Sequence, residues 1–267
     1  AYGEMRGDAF YNNAFNVNAD KVVNNSLDNN IFWASWYNYY RVIKQANAVI
    51  KFTPQVLEAG GISAEKADDV MGQAYCLRAF TYFWIIRIWG DAPLVTAPYL
   101  DSNDSFDLPK AAVADIVEQI HSDLENASNM IDKNSTSRTT FTQTAAYAIN
   151  AHVYAWEHKY EETINMADKV LTNTNYTLAN LYDEKYTGTT DDVKNKNFKA
   201  LVQASEYAQI FNTGRSKESI FELASNVADG DDQKNLTTYL AGSWPILRPR
   251  PRFGKAIDAE GSTWRSA

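Results

Sequence analysis

Residues 72–95 read GQAYCLRAFTYFWIIRIWGDAPLV and contain the most strongly apolar helical pattern in the chain. Apolar side chains cover nearly the whole circumference of its helical part, so neighbouring helices must pack on several of its sides. Ser63 is a suitable N-cap, Gly90 supplies the C-terminal stop and Pro93 prevents continuation. The pattern therefore predicts a long central helix inside a multi-helix assembly.

Helical periodicity continues on both sides of the central helix. Predicted helices lie from about residue 32 to the Pro54 and Gly60-Gly61 stops, and over about 63–89, 111–131, 144–158 and 160–171. The first of them has Asn29 or Asn30 as its N-cap, and the residues before it are predicted to be loop because they have no helical period. Almost nothing separates the last two helices, which predicts a tight helical hairpin.

Beyond Thr172 the periodicity fades into loops and short segments. The run Ser219–Leu223 is the one convincing strand there. In the hairpin, the small residues Ala146 and Ala151 match the tetratricopeptide repeat pattern in part. The predicted fold class is mainly all-α, with tetratricopeptide-like helical hairpins, an irregular, loop-rich C-terminal portion and little β.

Composition and charge narrow the classes of function. The chain has 267 residues, 45% of them hydrophobic, which is typical of a folded globular protein. The chain has 25 Lys and Arg residues and 33 Asp and Glu residues, so its net charge is −8. Because it also has no long basic run, we expect no nucleic acid partner. The many aromatic side chains suit neutral ligands, since ring faces bind the apolar faces of sugars without charge.

The sequence contains no recognisable catalytic or metal-binding motif. Cys76 is the sole cysteine, which excludes an internal disulfide and a cysteine zinc site. The Asp101–Asp107 run lacks the central Gly and the closing Glu of a calcium loop. A helical glycosidase, the enzymatic alternative, needs two carboxylates around the scissile bond, and no such pair has an identifiable spacing here. We therefore expect no cofactor, no metal and no enzymatic activity.

Two polar residues interrupt the apolar helix faces. Arg78 lies on the largely apolar central helix, where burial is costly unless its guanidinium donates to carbonyl groups or to a carboxylate of a neighbouring helix. Asn47 lies on the same apolar stripe as Ile50. We predict structural roles for both residues, with the Asn47 amide fixing the helix register through hydrogen bonds.

The segment Leu77–Phe83, which reads Leu-Arg-Ala-Phe-Thr-Tyr-Phe, and the turn Gly90–Val95, which reads Gly-Asp-Ala-Pro-Leu-Val, together resemble the hallmark of the SusD/RagB family. An aromatic helix upstream and the hairpin downstream follow in the expected order, so the resemblance covers about residues 30–180. It implies a single SusD-like helical domain over 1–267, incomplete at both ends. A helical-repeat part would span about 30–180, and the start of a loop-rich ligand-binding part about 181–267.

The resemblance implies a binding protein. Similar proteins are lipoproteins at the cell surface of the outer membrane, where they capture oligosaccharides and deliver them to a SusC-like TonB-dependent transporter. Attachment to the membrane is expected only through an N-terminal lipid anchor absent from this chain. Two alternatives stay open: a peptide-binding member of the same family, and a protein-interaction scaffold of the tetratricopeptide type.

The resemblance also implies candidate ligand-binding residues in two regions. Asn30, Trp33 and Trp36 fall at the start of the first paired helix, and Trp244 falls in the irregular C-terminal portion. Trp33 and Trp36 are one helical turn apart, and Trp36 continues into a stripe with Tyr40, which predicts a core position for Trp36. Trp33 and Trp244 are therefore the stronger candidates for direct contact with a ligand.

Overall fold

The computed structural model describes residues 10–12, 17–28, 34–100, 107–178, 216–223 and 247–249, with 10–12 and 247–249 as backbone only. These residues form six α-helices and two three-residue strands, which confirms the predicted fold class, mainly all-α with little β. The chain divides into two compact units, Ala1–Asn38 with Ser225–Ala267, and Tyr39–Ala224. The single domain over 1–267 stays a prediction.

The first unit contains a two-stranded ribbon and one short helix. Strand β1 (Phe10–Asn12) pairs antiparallel with β2 (Leu247–Pro249), so segments distant in sequence share one ribbon. Helix α1 (Val17–Val23) buries Ala19 and Val22. The prediction that all residues before the first long helix are loop is therefore wrong. Strand β1 pairs with a segment far away in sequence, and α1 is only seven residues long, so neither gives a clear local pattern.

Five longer helices follow along the chain. They are α2 (Tyr37–Glu58), α3 (Ala64–Trp89), α4 (Val113–Met130), α5 (Gln143–Trp156) and α6 (Tyr160–Leu171). Helix α3 packs on α4, α4 packs on α5, and α5 packs on α6 in the predicted hairpin. No helix among the described residues is both long enough and apolar enough to span a membrane.

Local capping explains where several of these helices begin and end. The Ser63 side chain accepts a hydrogen bond from the backbone N of Lys66 at 3.2 Å, and Gly90 ends α3 with a φ of 73°. Both predictions for the central helix are thereby confirmed. At the start of α5, Thr142 Oγ1 accepts from the backbone N of Ala145 at 3.0 Å.

Three local predictions are wrong. Helix α2 begins at Tyr37 and not near residue 32, so neither Asn29 nor Asn30 is its N-cap. Pro54 lies inside α2, which continues to Glu58. The run Ser219–Leu223 is not a strand. Its backbone donates from Ser219 N to Ser216 O at 3.1 Å and from Glu222 N to Arg138 O at 2.7 Å, which is not the ladder that a strand requires.

The core lies between α3, α4 and α5. Its largest fully buried side chains in this region are those of Tyr82, Ile85, Ile116, Ile120, Leu124, Ile131 and Val153. Gly72 lets α3 approach the end of α4, because a Cβ there would lie 2.7 Å from Ile131 Cγ1. Helix α6 has no buried residue and forms the outer layer of the hairpin.

Candidate ligand-binding site

Of the four predicted site residues, the structure describes one, which lies just before the N-terminus of α2. Trp36 is half-buried and directly precedes the helix. The core position predicted for Trp36 is not reached, because the residue lies just before α2 and is not among the fully buried side chains, and its predicted stripe with Tyr40 stays a prediction. Asn30, Trp33 and Trp244 lie outside the described residues. Which of the four share a surface accordingly stays a prediction.

An exposed tyrosine follows Trp36 directly. Tyr37 is the first residue of α2 and is 67% exposed. Its backbone N donates to Ser35 Oγ at 3.3 Å, so a serine side chain satisfies one of the free N–H groups at the helix start. Sequence reasoning missed Tyr37, although an aromatic residue in a first helical turn, next to a predicted site residue, is a usable signal.

Two further tyrosines hold α2 against the rest of the second unit. The Tyr39 ring meets Trp89 edge to face with the centroids 5.2 Å apart. The Tyr40 hydroxyl donates to Pro93 O at 2.6 Å. Burial raises the pKa of both phenols, so both stay protonated near neutral pH. These contacts fix the first turns of α2 on the end of α3.

A buried ion pair joins α3 to α4. Arg78 Nε and Nη2 donate to the two carboxylate oxygens of Asp123 at 2.7 and 2.6 Å, and the two side chains are 4% and 0% exposed. Arg78 Nη1 donates to Asn47 Oδ1 at 2.7 Å and to Thr96 O at 3.1 Å. The predicted structural role of Arg78 is confirmed, because one guanidinium joins α2, α3, α4 and the segment after α3.

Side chains hold the extended segment after α3 in place. Asn47 Nδ2 donates to Val95 O at 3.0 Å and to Ala97 O at 3.2 Å, which confirms the predicted structural role of Asn47. The Tyr82 hydroxyl accepts from Val95 N at 2.7 Å and donates to Val95 O at 3.1 Å. Buried side chains thus replace the backbone partners that a helix or sheet would supply.

Burial controls the protonation of the groups around this network. It raises the pKa of the Asp123 carboxyl above its ordinary value, against the opposing effect of hydrogen bonds from Arg78 and Gln119. It also raises the pKa of Tyr82 to about 12. The Cys76 thiol is fully buried and its pKa is raised for the same reason, so it stays protonated and unreactive.

A second polar cluster joins α4 to the turn between α5 and α6. His121 Nδ1 lies 2.7 Å from Asn150 Oδ1, and His121 Nε2 lies 2.7 Å from Glu157 Oε2. Lys159 Nζ lies 2.8 Å from Glu157 Oε1. Partial burial acts to raise the pKa of Glu157, but hydrogen bonds and charge from Lys159 and His121 outweigh it and leave that pKa below its ordinary value. Since its members bond to one another, the cluster acts as an interhelical clamp.

Metal-binding side chains are not grouped in the part of the chain that the structure describes, where no three His, Cys, Asp or Glu residues are placed to hold an ion. Residues 101–106 of the run that superficially resembles a calcium loop lie outside that part. The described residues at the start of α2 offer aromatic faces and hydrogen-bonding groups to a ligand.

Comparison with known proteins identifies the family. A SusD-like family model, described as starch-binding and associating with the outer membrane, matches residues 1–155, more than half of the 267 residues. SusD-like protein P38 of Formosa agariphila is 27% identical over 183 residues, which cover 66% of this chain and 34% of that protein. The chain thus spans about a third of the length of this curated relative.

Two solved structures have a fold similar to that of this chain. A SusD superfamily protein from Bacteroides thetaiotaomicron gives a TM-score of 0.70 at 19% identity, over 96% of this chain and 56% of that one. A structure determined with xylogluco-oligosaccharide gives 0.56 at 24% identity, over 66% of this chain and 36% of the other. The family match agrees with the hallmark on α3 and with the helical fold, and the chain therefore belongs to the SusD/RagB family of outer-membrane nutrient-binding proteins.

Proposed function

We propose that this protein is a cell-surface glycan-binding protein that captures oligosaccharides and delivers them to a SusC-like TonB-dependent transporter. The observation that carries the proposal is the match of residues 1–155 to a family described as starch-binding and associating with the outer membrane. Capture does not require chemistry on the ligand, so the proposal includes binding without cleavage. The proposed location is the outer membrane, with attachment through an N-terminal lipid anchor.

The proposed ligand contacts are Asn30, Trp33, Trp36 and Trp244, together with Tyr37. Aromatic faces stack on the apolar faces of sugar rings, while the Asn30 amide can donate to and accept from hydroxyl groups. The half-buried indole of Trp36 and the exposed phenol of Tyr37 are consecutive at the start of α2. A firmly held α2 supports this assignment, because a pre-organised aromatic surface loses less entropy when it binds.

Titration calorimetry of the full-length protein tests the proposal. The ligand panel contains soluble starch, xyloglucan oligosaccharides and peptides, and new reducing ends are measured in parallel. We expect a glycan to bind without new reducing ends, and Trp33→Ala or Trp244→Ala to weaken binding about tenfold. Tyr160→Ala is the control, since Tyr160 is 63% exposed on α6 and is not a proposed contact.

The possible results separate the classes of function. New reducing ends would overturn the proposal in favour of an enzyme. If peptides bind and no sugar in the panel does, the peptide-binding alternative would replace the proposal. A glycan affinity that Trp33→Ala and Trp244→Ala leave unchanged would keep glycan capture but remove these two residues from the site.

A further inference from the structure

Helix α3 carries an arginine held between two aromatic rings. Arg87 Cζ lies 4.3 Å from the centroid of Phe83 and 4.3 Å from the centroid of Trp84. Arg87 Nε donates to Phe83 O at 3.2 Å, which fixes the side chain further. The spacing of three and four residues along the helix places the two rings on either side of the guanidinium. The cation is therefore held in place before any ligand arrives.

The terminal nitrogens of this guanidinium are available for binding. None of the ion pairs formed among the described residues includes Arg87, and its side chain is exposed. Arg78, on the same helix, is 3% exposed and holds both oxygens of Asp123. A flat guanidinium with free edge donors matches the geometry of a carboxylate. The ligand group that suits Arg87 is therefore an anion.

Two indole rings extend the surface around Arg87. Trp84 and Trp156 are each 40% exposed, which is high for such large apolar side chains. Trp156 meets Phe83 edge to face with the centroids 6.3 Å apart, and Phe83 itself is 5% exposed. Buried Phe83 is thus the floor of the surface, with Arg87 and Trp156 packed against it. We call Trp84, Arg87 and Trp156 the arginine ridge.

We propose that the arginine ridge is a second glycan-binding site, which takes a uronic acid unit. The carboxylate of the sugar would accept from the edge of Arg87, and its ring would stack on an indole face. The inference rests on the proposed glycan-binding function and adds the class of sugar. A uronic acid carries its carboxylate directly on a ring with an apolar face, whereas the carboxylate of an acidic peptide side chain stands on a flexible stem.

Titration of the full-length protein with soluble oligogalacturonate tests this site, and the methyl ester of the same oligosaccharide provides the uncharged comparison. We expect Arg87→Met to weaken binding of the acid about ten- to a hundredfold, because charged hydrogen bonds are lost. Trp84→Ala should weaken it about tenfold. The methyl ester should discriminate far less between the parent and Arg87→Met, since the ester carries no charge to pair with the guanidinium.

Matched variants separate binding from folding. Arg138 also lies over a ring, 4.0 Å from the centroid of Tyr176, so Arg138→Met is a control for loss of a stacked arginine outside the ridge. Arg87→Lys keeps the charge without the planar fork, and we expect it to retain part of the affinity. Thermal unfolding of each variant checks that the fold is intact.

The outcomes are decisive for the ridge and distinct from those for the proposed function. Equal affinity of the parent and Arg87→Met for oligogalacturonate would overturn the ridge proposal, as would binding of acidic peptides there in place of the uronate. If neutral glycans bind through Trp33 and Trp244 but oligogalacturonate does not bind, the ridge proposal falls alone. If no glycan binds, the proposed function falls and the ridge proposal falls with it.

Discussion

Replacing Arg78 with methionine would leave a buried carboxylate without its main partner. The change removes the two hydrogen bonds of 2.7 and 2.6 Å to Asp123. It also removes the donors to Asn47 Oδ1 and Thr96 O. Asp123 is 0% exposed, and of the contacts described above it would keep only the bond from Gln119 Nε2, at 2.8 Å. The substitution therefore orphans a charge that water cannot reach.

The expected cost follows from that geometry. Breaking a buried pair by removing one partner destabilises a protein by about 3–5 kcal/mol, so Arg78→Met should lower the free energy of unfolding by about that amount. The double variant Arg78→Met, Asp123→Leu removes both charges and replaces them with apolar side chains. Its cost should fall short of the sum of the two single costs by about 2–3 kcal/mol.

Urea unfolding followed by circular dichroism measures these free energies. The matched control is Arg87→Met, the same substitution on the same helix, where an exposed guanidinium between two rings contributes about 1 kcal/mol. If Arg78→Met costs no more than Arg87→Met, burial of the ion pair is not the source of its stability. Additive single costs in the double variant would equally refute the reasoning.

Two further predictions concern the packing of α4 and its clamp. Gly72→Ala should lower the urea midpoint by the equivalent of about 1–3 kcal/mol, because the new Cβ would lie 2.7 Å from Ile131 Cγ1 and 3.0 Å from Ile131 N; an unchanged or higher midpoint would contradict this. Glu157→Gln should destabilise the protein at about pH 7 by about 1–2 kcal/mol. Because the folded pKa of Glu157 is lowered, its contribution is present above the unfolded value of about 4.3 and is lost as the pH falls through the folded pKa. A deficit of equal size at about pH 7 and about pH 3 would contradict that assignment.

Local sequence patterns predicted the existence of the five long helices but missed helix α1 and wrongly predicted a strand at 219–223. Helix α3 depends on contacts within a few residues, such as the Ser63 cap and the Gly90 stop, and both are present. A strand needs hydrogen-bond partners from elsewhere, and among the described residues the run 219–223 joins no ladder. Phe221 instead stacks on Phe141, with the centroids 4.3 Å apart and the planes 15° apart. Phe221 thereby joins Phe80 and Phe141 in an aromatic cluster.

The candidate site was predictable only in part. Family resemblance indicated Asn30, Trp33, Trp36 and Trp244, and the structure describes Trp36 just outside the helix to which its spacing had assigned it. Helical spacing does not locate the first residue of a helix when several residues could cap it. Here the Ser35 hydroxyl accepts from the first backbone N–H of α2, several residues after the predicted caps Asn29 and Asn30. Because α2 begins at residue 37, Tyr37 lies in its first turn, where it is exposed.

Residue patterns were enough to establish the mainly helical fold, the family and the presence of two arginines on one apolar helix. Which of these arginines is buried and paired depends on how the helices pack. Arg78 pairs with Asp123, 45 residues away, because α4 packs over that part of α3. Arg87 is exposed between Phe83 and Trp84. Periodicity records which neighbours share one helix face, whereas burial and ion pairing depend on which other helix covers that face.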